Sequence, residues 1–179
     1  MNLQLSTEIT TFIDVPDQKT LEILYFLNQE NTPEVGTVTL EELQNSWENS
    51  DYNLCAVVDD KVVGFVISFQ DTKATNSYMS DFEHKNFNEI SQRVSDFLYI
   101  DRIAVDKNYR KRSIGSKLYE EVVKFAEMNS ISHLTAEINL LPAKNIPSFL
   151  FHEKFNFTEL DTVKYSEEYK VSLQIRINN

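Results

Sequence analysis

The sequence predicts a mixed α/β (α+β) domain, and three observations carry that expectation: stretches with helical periodicity, stretches of alternating or continuous apolar character, and the order in which the two kinds alternate. A chain of 179 residues suits one compact domain over 1–179. Its 41 % hydrophobic and 12 % aromatic content is enough to bury a core without metal or disulfide. With 3 Gly and 4 Pro, it is neither a linker nor a low-complexity chain.

The elements follow in order. Leu21, Ile23, Leu24, Phe26 and Leu27 predict an amphipathic helix over 20–29 with Asp17 as N-cap. Thr39, followed by Glu41 and Glu42, predicts a second helix over 40–47. Between them, 28–38 is polar, carries Pro33 and Gly36, and reads as a loop. The apolar runs 54–58 and 62–67 flank Asp59-Asp60-Lys61, which predicts a β-hairpin. Residues 70–95 are polar with scattered aromatics, a connection long enough to be functional or partly helical. Its aromatic stretch from Tyr78 to Phe87 reads either as the wall of a pocket or as a lid packing on itself.

The run 97–105 is almost continuously apolar, as in a central strand covered on both faces. Ile114, Leu118, Val122 and Phe125 then fall at helical spacing. A strand over 133–138, a loop through Pro142 and a helix over 145–154 follow. Val171, Leu173, Ile175 and Ile177 alternate with polar residues in a final strand, read as exposed and able to pair across a homodimer. The strand–helix–strand of this second half is expected to cross over right-handed.

Composition excludes several classes. Cys55 is the only cysteine, so no disulfide framework exists, and it reads as a buried small hydrophobe in a reducing compartment. Residues 1–5 show no basic leader pattern, and nothing approaches the about 20 consecutive apolar residues of a membrane span. A cytoplasmic location is expected. The formal charge of -11 argues against nucleic-acid or anionic-membrane partners. Within that acidic chain, Lys107, Arg110, Lys111, Arg112 and Lys117 form a basic segment without acids. Three scattered histidines and one cysteine make no metal pattern.

The basic segment coincides with a strand end and a helix start. Amide hydrogens there lack intrahelical partners, and the helix dipole adds partial positive charge, so the place is suited to a small anion. Ser113, Gly115 and Ser116 are small enough for close approach.

Arg110-Lys111-Arg112-Ser113-Ile114-Gly115 resembles the Arg-x-x-Gly-x-Gly/Ala pyrophosphate loop of the GNAT (GCN5-related N-acetyltransferase) superfamily, with Ser113 at its first glycine. A second segment, from Asn139 through Asn145, Ser148 and His152 to Phe157, resembles the family's Asn-x-x-Ala/Ser-x-x-Phe-His/Tyr-x-x-x-Gly-Phe pattern. Asn156 stands at its glycine and tolerates positive φ. Leu98 to Val105 and the Asn139-Leu-Leu-Pro opening are similar to a bacterial branch of predicted acetyltransferases.

The resemblance implies a mostly antiparallel sheet of six to seven strands flanked by about four helices, with a splayed strand pair holding the cofactor. It implies transfer of an acetyl group from acetyl-CoA to a primary amine of a small molecule or peptide, by direct attack and without metal. Arg110, Lys111, Arg112, Ser113, Ile114, Gly115 and Ser116 would bind the diphosphate. The backbone of Ile103, Ala104 and Val105 would pair with pantetheine, and Asn139, Asn145 and Ser148 would complete the cofactor contacts. An amine must lose a proton to attack, and Asp101 and Glu137 are the candidate bases. His152 stands where relatives protonate the leaving thiolate.

Plainer readings sit beside these. Asp101 and Glu137 can serve as partners of Arg102 or of loop amides, and His152 as an ordinary half-buried histidine. The rival function is a catalytically inactive CoA-binding sensor or scaffold, supported by the departures at Ser113 and Asn156.

Overall fold

Residues 8–11 and 16–178 are described by a computed structural model. Residues 1–5, read above for a leader, lie outside them.

Local chemistry sets each element. Helix α1 (Gln18–Glu30) starts where the Asp17 carboxylate accepts the Thr20 amide hydrogen at 2.8 Å. Helix α2 (Leu40–Asn49) opens with a reciprocal capping box: Glu42 N–H donates to Thr39 Oγ1 at 3.1 Å, and Thr39 N–H donates to Glu42 Oε2 at 2.7 Å. Strands β2 (Tyr52–Val58) and β3 (Lys61–Gln70) form the hairpin. Its two turn residues, Asp59 and Asp60, take φ values of 49° and 59°, as a two-residue turn matched to strand twist requires. A short β1 (Glu8–Thr11) adds antiparallel to β2.

The long polar connection is mostly helical, with α3 (Lys73–Asp81) and α4 (Lys85–Ser91). Then come β4 (Phe97–Val105), a 3-10 turn at Lys107–Tyr109, α5 (Ile114–Met128), β5 (His133–Leu141), α6 (Ile146–Lys154), β6 (Thr158–Lys164) and β7 (Lys170–Ile177).

The strand order is β1-β2-β3-β4-β5-β7-β6. Pairing is antiparallel for β1–β2, β2–β3, β5–β7 and β6–β7, and parallel for β4–β5. Two strands escaped the pattern reading. Strand β1 is only four residues long, and β6 (Thr-Glu-Leu-Asp-Thr-Val-Lys) lies at the sheet's end, where one side needs no covering. One expectation fails: β7 lies between β5 and β6, so the C-terminal strand presents no open edge for a second copy.

The chain forms two compact units. The first comprises the described residues of Met1–Ser68 together with Asp101–Lys124, and its buried side chains include Leu24, Leu43, Trp47, Phe65 and Leu118. Here Gly64 is a packing requirement, since a Cβ would stand 3.0 Å from the Ala104 carbonyl oxygen. The second unit comprises Phe69–Ile100 and the described residues of Phe125–Asn179, with Phe87, Phe97, Tyr99, Leu134 and Leu173 buried. No helix among the described residues is long and apolar enough to cross a membrane.

Candidate active site

In the first unit, Asp106 follows β4 and caps the 3-10 turn. Its amide donates to the Val63 carbonyl at 2.8 Å, and its carboxylate accepts from Asn108 N–H at 2.8 Å and Asn108 Nδ2 at 3.0 Å. This closes the 3-10 turn and delivers Arg110, Lys111, Arg112 and Ser113 to the surface, all exposed. The Ser113 carbonyl accepts the first bond of α5, from Lys117 N–H at 2.9 Å, so the amides of Ile114 and Gly115 head the helix. Ile114, 2 % exposed, anchors that start.

Lys111 and Ser113 adopt φ of 61° and 62°. Ser113 therefore takes the backbone shape that glycine takes most readily, at a cost of about 1 kcal/mol.

The cations differ in their company. Lys107 Nζ lies 3.4 Å from the Glu30 carboxylate. Arg110 donates from Nη2 to the neutral Asn31 Oδ1 at 3.0 Å, and the Arg112 guanidinium lies 4.9 Å from the centre of the Tyr109 ring. These neutral partners orient both arginines without cancelling their charge. Exposed guanidinium groups beside a helix start and a left-handed Ser113 fit a diphosphate.

Further back on β4, Ala104 is buried, Ile103 and Val105 are half-buried, and the Val105 carbonyl accepts from Asn31 Nδ2 at 3.3 Å. The Asp101 side chain is 5 % exposed and accepts from Arg102 Nε at 2.7 Å. Arg102 Nη1 in turn donates to Asn28 Oδ1 at 2.9 Å. Asp101 thus sits in an ion-paired network, the plainer of its two sequence readings.

In the second unit, β4 and β5 pair in parallel through Phe97↔His133, Leu98↔Leu134 and Tyr99↔Thr135. Glu137, two residues past Thr135, projects to the same face. There the Tyr99 hydroxyl donates to Glu137 Oε2 at 2.7 Å, and Tyr99 is fully buried. His84 and Phe87 meet the Tyr99 ring edge-on at 5.4 and 5.7 Å. His84 also caps α4, its Nδ1 accepting from Phe87 N–H at 3.2 Å.

The aromatic stretch does pack on itself: Tyr78 stacks on Phe69 and on Phe82, at 5.9 and 6.0 Å. Through Phe82 and His84 the same row reaches Tyr99.

Beside it, the buried Asn86 accepts from Tyr165 Oη at 2.8 Å and donates to Tyr169 Oη at 3.3 Å. Burial raises both phenol pKa values, and the Glu137 charge raises them further. Sequence reasoning missed Tyr99, Asn86, Tyr165 and Tyr169 as a group. Nothing in one dimension links Asn86 to Tyr165 and Tyr169, 79 and 83 positions away.

The start of α6 spends its polar groups on itself. Asn145 N–H donates to the Asn139 carbonyl at 3.0 Å, and Asn145 Oδ1 accepts from Ser148 N–H at 3.2 Å. His152, 4 % exposed, donates from Nδ1 to the Ser148 carbonyl at 2.8 Å, between the rings of Phe151 and Phe157. Burial lowers its pKa below the ordinary 6.5, against the opposing pull of the Ser148 carbonyl. A neutral imidazole with its one N–H committed to backbone has no proton ready for a thiolate. That geometry counts against the acid role expected of His152. Asn156 takes φ 61°, as a glycine substitute should.

Cys55 is buried and its thiol is pushed up to about 12 by desolvation, which leaves it unreactive. Among the described residues, no three His, Cys, Asp or Glu side chains gather as a metal site requires.

A family model described as the acetyltransferase (GNAT) family matches residues 21–157. No curated protein matches the chain. Among solved structures, the ribosomal-protein-S18-alanine N-acetyltransferase from Escherichia coli is similar at 15 % identity and a TM-score of 0.68, with 96 % of this chain and 94 % of that one covered. The NatC complex bound to Gag peptide and CoA gives 14 % identity, a TM-score of 0.74, and coverage of 98 % and 100 %. Arabidopsis thaliana NAA60 in complex with acetyl-CoA gives 19 % identity, a TM-score of 0.69, and coverage of 96 % and 98 %. At these identities the likeness concerns the fold.

Proposed function

The chain belongs to the acetyltransferase (GNAT) family, and from that premise we propose that it is an acetyl-CoA-dependent N-acetyltransferase acting on the primary amine of a small molecule or peptide. The observation that carries this reading is the outward-facing turn at the start of α5, where Arg110 and Arg112 keep their charge beside the helix amides.

Acetyl-CoA supplies a thioester whose C–S bond breaks as the amine forms a C–N bond. Arg110, Lys111, Arg112 and the amides of Ser113, Ile114, Gly115 and Ser116 hold the diphosphate. The β4 backbone at Ile103, Ala104 and Val105 receives the pantetheine. Glu137 takes the proton that the acceptor ammonium must lose, and Tyr99 fixes the carboxylate by its bond to Oε2. Asp101 is engaged by Arg102 and serves the fold instead. Asn145 and Ser148 act through the α6 cap, with Asn139 closing the loop before it.

A peptide amine is the favoured acceptor class. Similar structures include an enzyme named for an alanine of protein S18 and a complex holding a Gag peptide. The lone, inert Cys55 suits a reducing cytoplasm.

Thiol release from acetyl-CoA, read across a panel of small amines and peptides, tests the activity. Release with at least one acceptor is expected, whereas binding of acetyl-CoA without release from any would favour the sensor. Glu137→Gln should lower kcat by about 100-fold or more while still binding coenzyme A. Undiminished turnover in that variant would remove Glu137 as the base.

A further inference from the structure

One carboxamide joins the end of α1 to the basic turn. Asn31 is the C-cap of α1, and its Nδ2 donates to the Leu27 carbonyl at 2.7 Å and to the Val105 carbonyl at 3.3 Å. Its Oδ1 accepts from Arg110 Nη2 at 3.0 Å. With two carbonyls on one side and a guanidinium on the other, only this orientation of the amide satisfies all three partners. The preceding residue, Glu30, meets Lys107 at 3.4 Å. The end of α1 therefore touches the turn before it, within it, and at its arginine, all inside the first unit.

We propose that Asn31 is a positioning residue for the cofactor: it holds Arg110 ready for the diphosphate while leaving the guanidinium its full charge. This rests on the reading of the turn as the diphosphate site. An unrestrained arginine on an exposed turn must give up rotamer freedom when it binds, and a bond already in place removes part of that cost. The chemistry of the partner matters as much as its reach. A carboxylate would grip Arg110 harder but cancel the charge that attracts the anion. A carboxamide accepts one hydrogen and leaves four donors for the ligand.

Calorimetric titration with coenzyme A tests this on the full chain, with thermal melting to identify folded variants. Asn31→Ala should weaken binding about three- to tenfold. Asn31→Gly, which keeps a residue tolerated at a helix end, should do the same and stands in should the alanine variant unfold. Asn31→Asp should weaken binding at least as much. It should also flatten the dependence of affinity on salt, which the neutral variants should leave alone.

In an Arg110→Ala background, Asn31→Ala should add less than about a twofold loss. Equal losses with and without Arg110 would overturn the proposal, leaving Asn31 a helix cap only. Should Arg110→Ala bind coenzyme A as the wild type does, the diphosphate reading of the turn falls and this proposal falls with it.

Discussion

Two strand-to-helix turns invite comparison: 106–113, between β4 and α5, and 142–145, between β5 and α6. Each lies in the stretch of sequence that resembles a family motif, and each motif has a non-glycine residue where glycine is usual. They differ in where their polar groups point. In the first, Arg110 and Arg112 rest on neutral partners and face solvent. In the second, Asn145, Ser148 and His152 are consumed in capping α6 and bonding its own first turn. Resemblance alone gave both turns cofactor-binding residues. Hydrogen-bond accounting separates a turn that can receive a ligand from one that chiefly builds a helix.

The largest effect should come from breaking the first turn. Replacing Arg110 and Arg112 together by Glu removes two charge-assisted contacts and adds repulsion, so coenzyme A affinity should fall by about 100-fold or more in calorimetry. Replacing Asn145 and Ser148 together by Ala should instead act mainly on stability, by about 1 kcal/mol in urea unfolding.

Next in size is Gly64→Ala. Its new methyl would meet the Ala104 carbonyl at 3.0 Å, a backbone neighbour that cannot swing away. A loss of about 1–3 kcal/mol is expected in urea unfolding, with activity falling as β4 is displaced.

His152 sharpens the picture of the second turn through pH. Its folded pKa is lowered by burial, so below 6.5 the unfolded chain binds a proton that the folded chain refuses. Stability should therefore fall as pH drops below 6.5. His152→Gln should flatten that slope. An unchanged slope would show that His152 is not its source.

The smallest expected effect concerns the two glycine substitutes. Serine gains less than asparagine from left-handed backbone, so Ser113→Gly should stabilise by about 1 kcal/mol and Asn156→Gly by only a few tenths. Equal gains at the two positions would remove the distinction.

Legibility followed the physics of each element. Asp17, Thr39 and the Asp59-Asp60 turn were readable because caps and tight turns are decided within a few residues. The strand at 97–105 was readable because burial on both faces leaves a continuous apolar run. Strand β6 was not, because half of its pattern faces solvent and its partner is fixed only in three dimensions. The position of β7 was misread for the same reason, since alternation reports a half-buried face and not which neighbours fill its edges.

At the site, residue types and spacing pointed to the basic turn. The Tyr99–Glu137 bond spans 38 positions, and the Arg110–Asn31 bond 79. Contacts that distant leave no periodic trace. Asp101 showed the converse limit: a carboxylate on the right strand was plausible as a base until its neighbour Arg102 was seen to hold it.

The interior place of β7 bears on how the chain matures during synthesis. Strands β5 and β6 emerge from the ribosome before it, and both take it as their antiparallel partner. Until residues 170–177 arrive, one edge of β5 and both edges of β6 stand open at once, and this half of the sheet can close only when the last of its three strands is inserted between the other two.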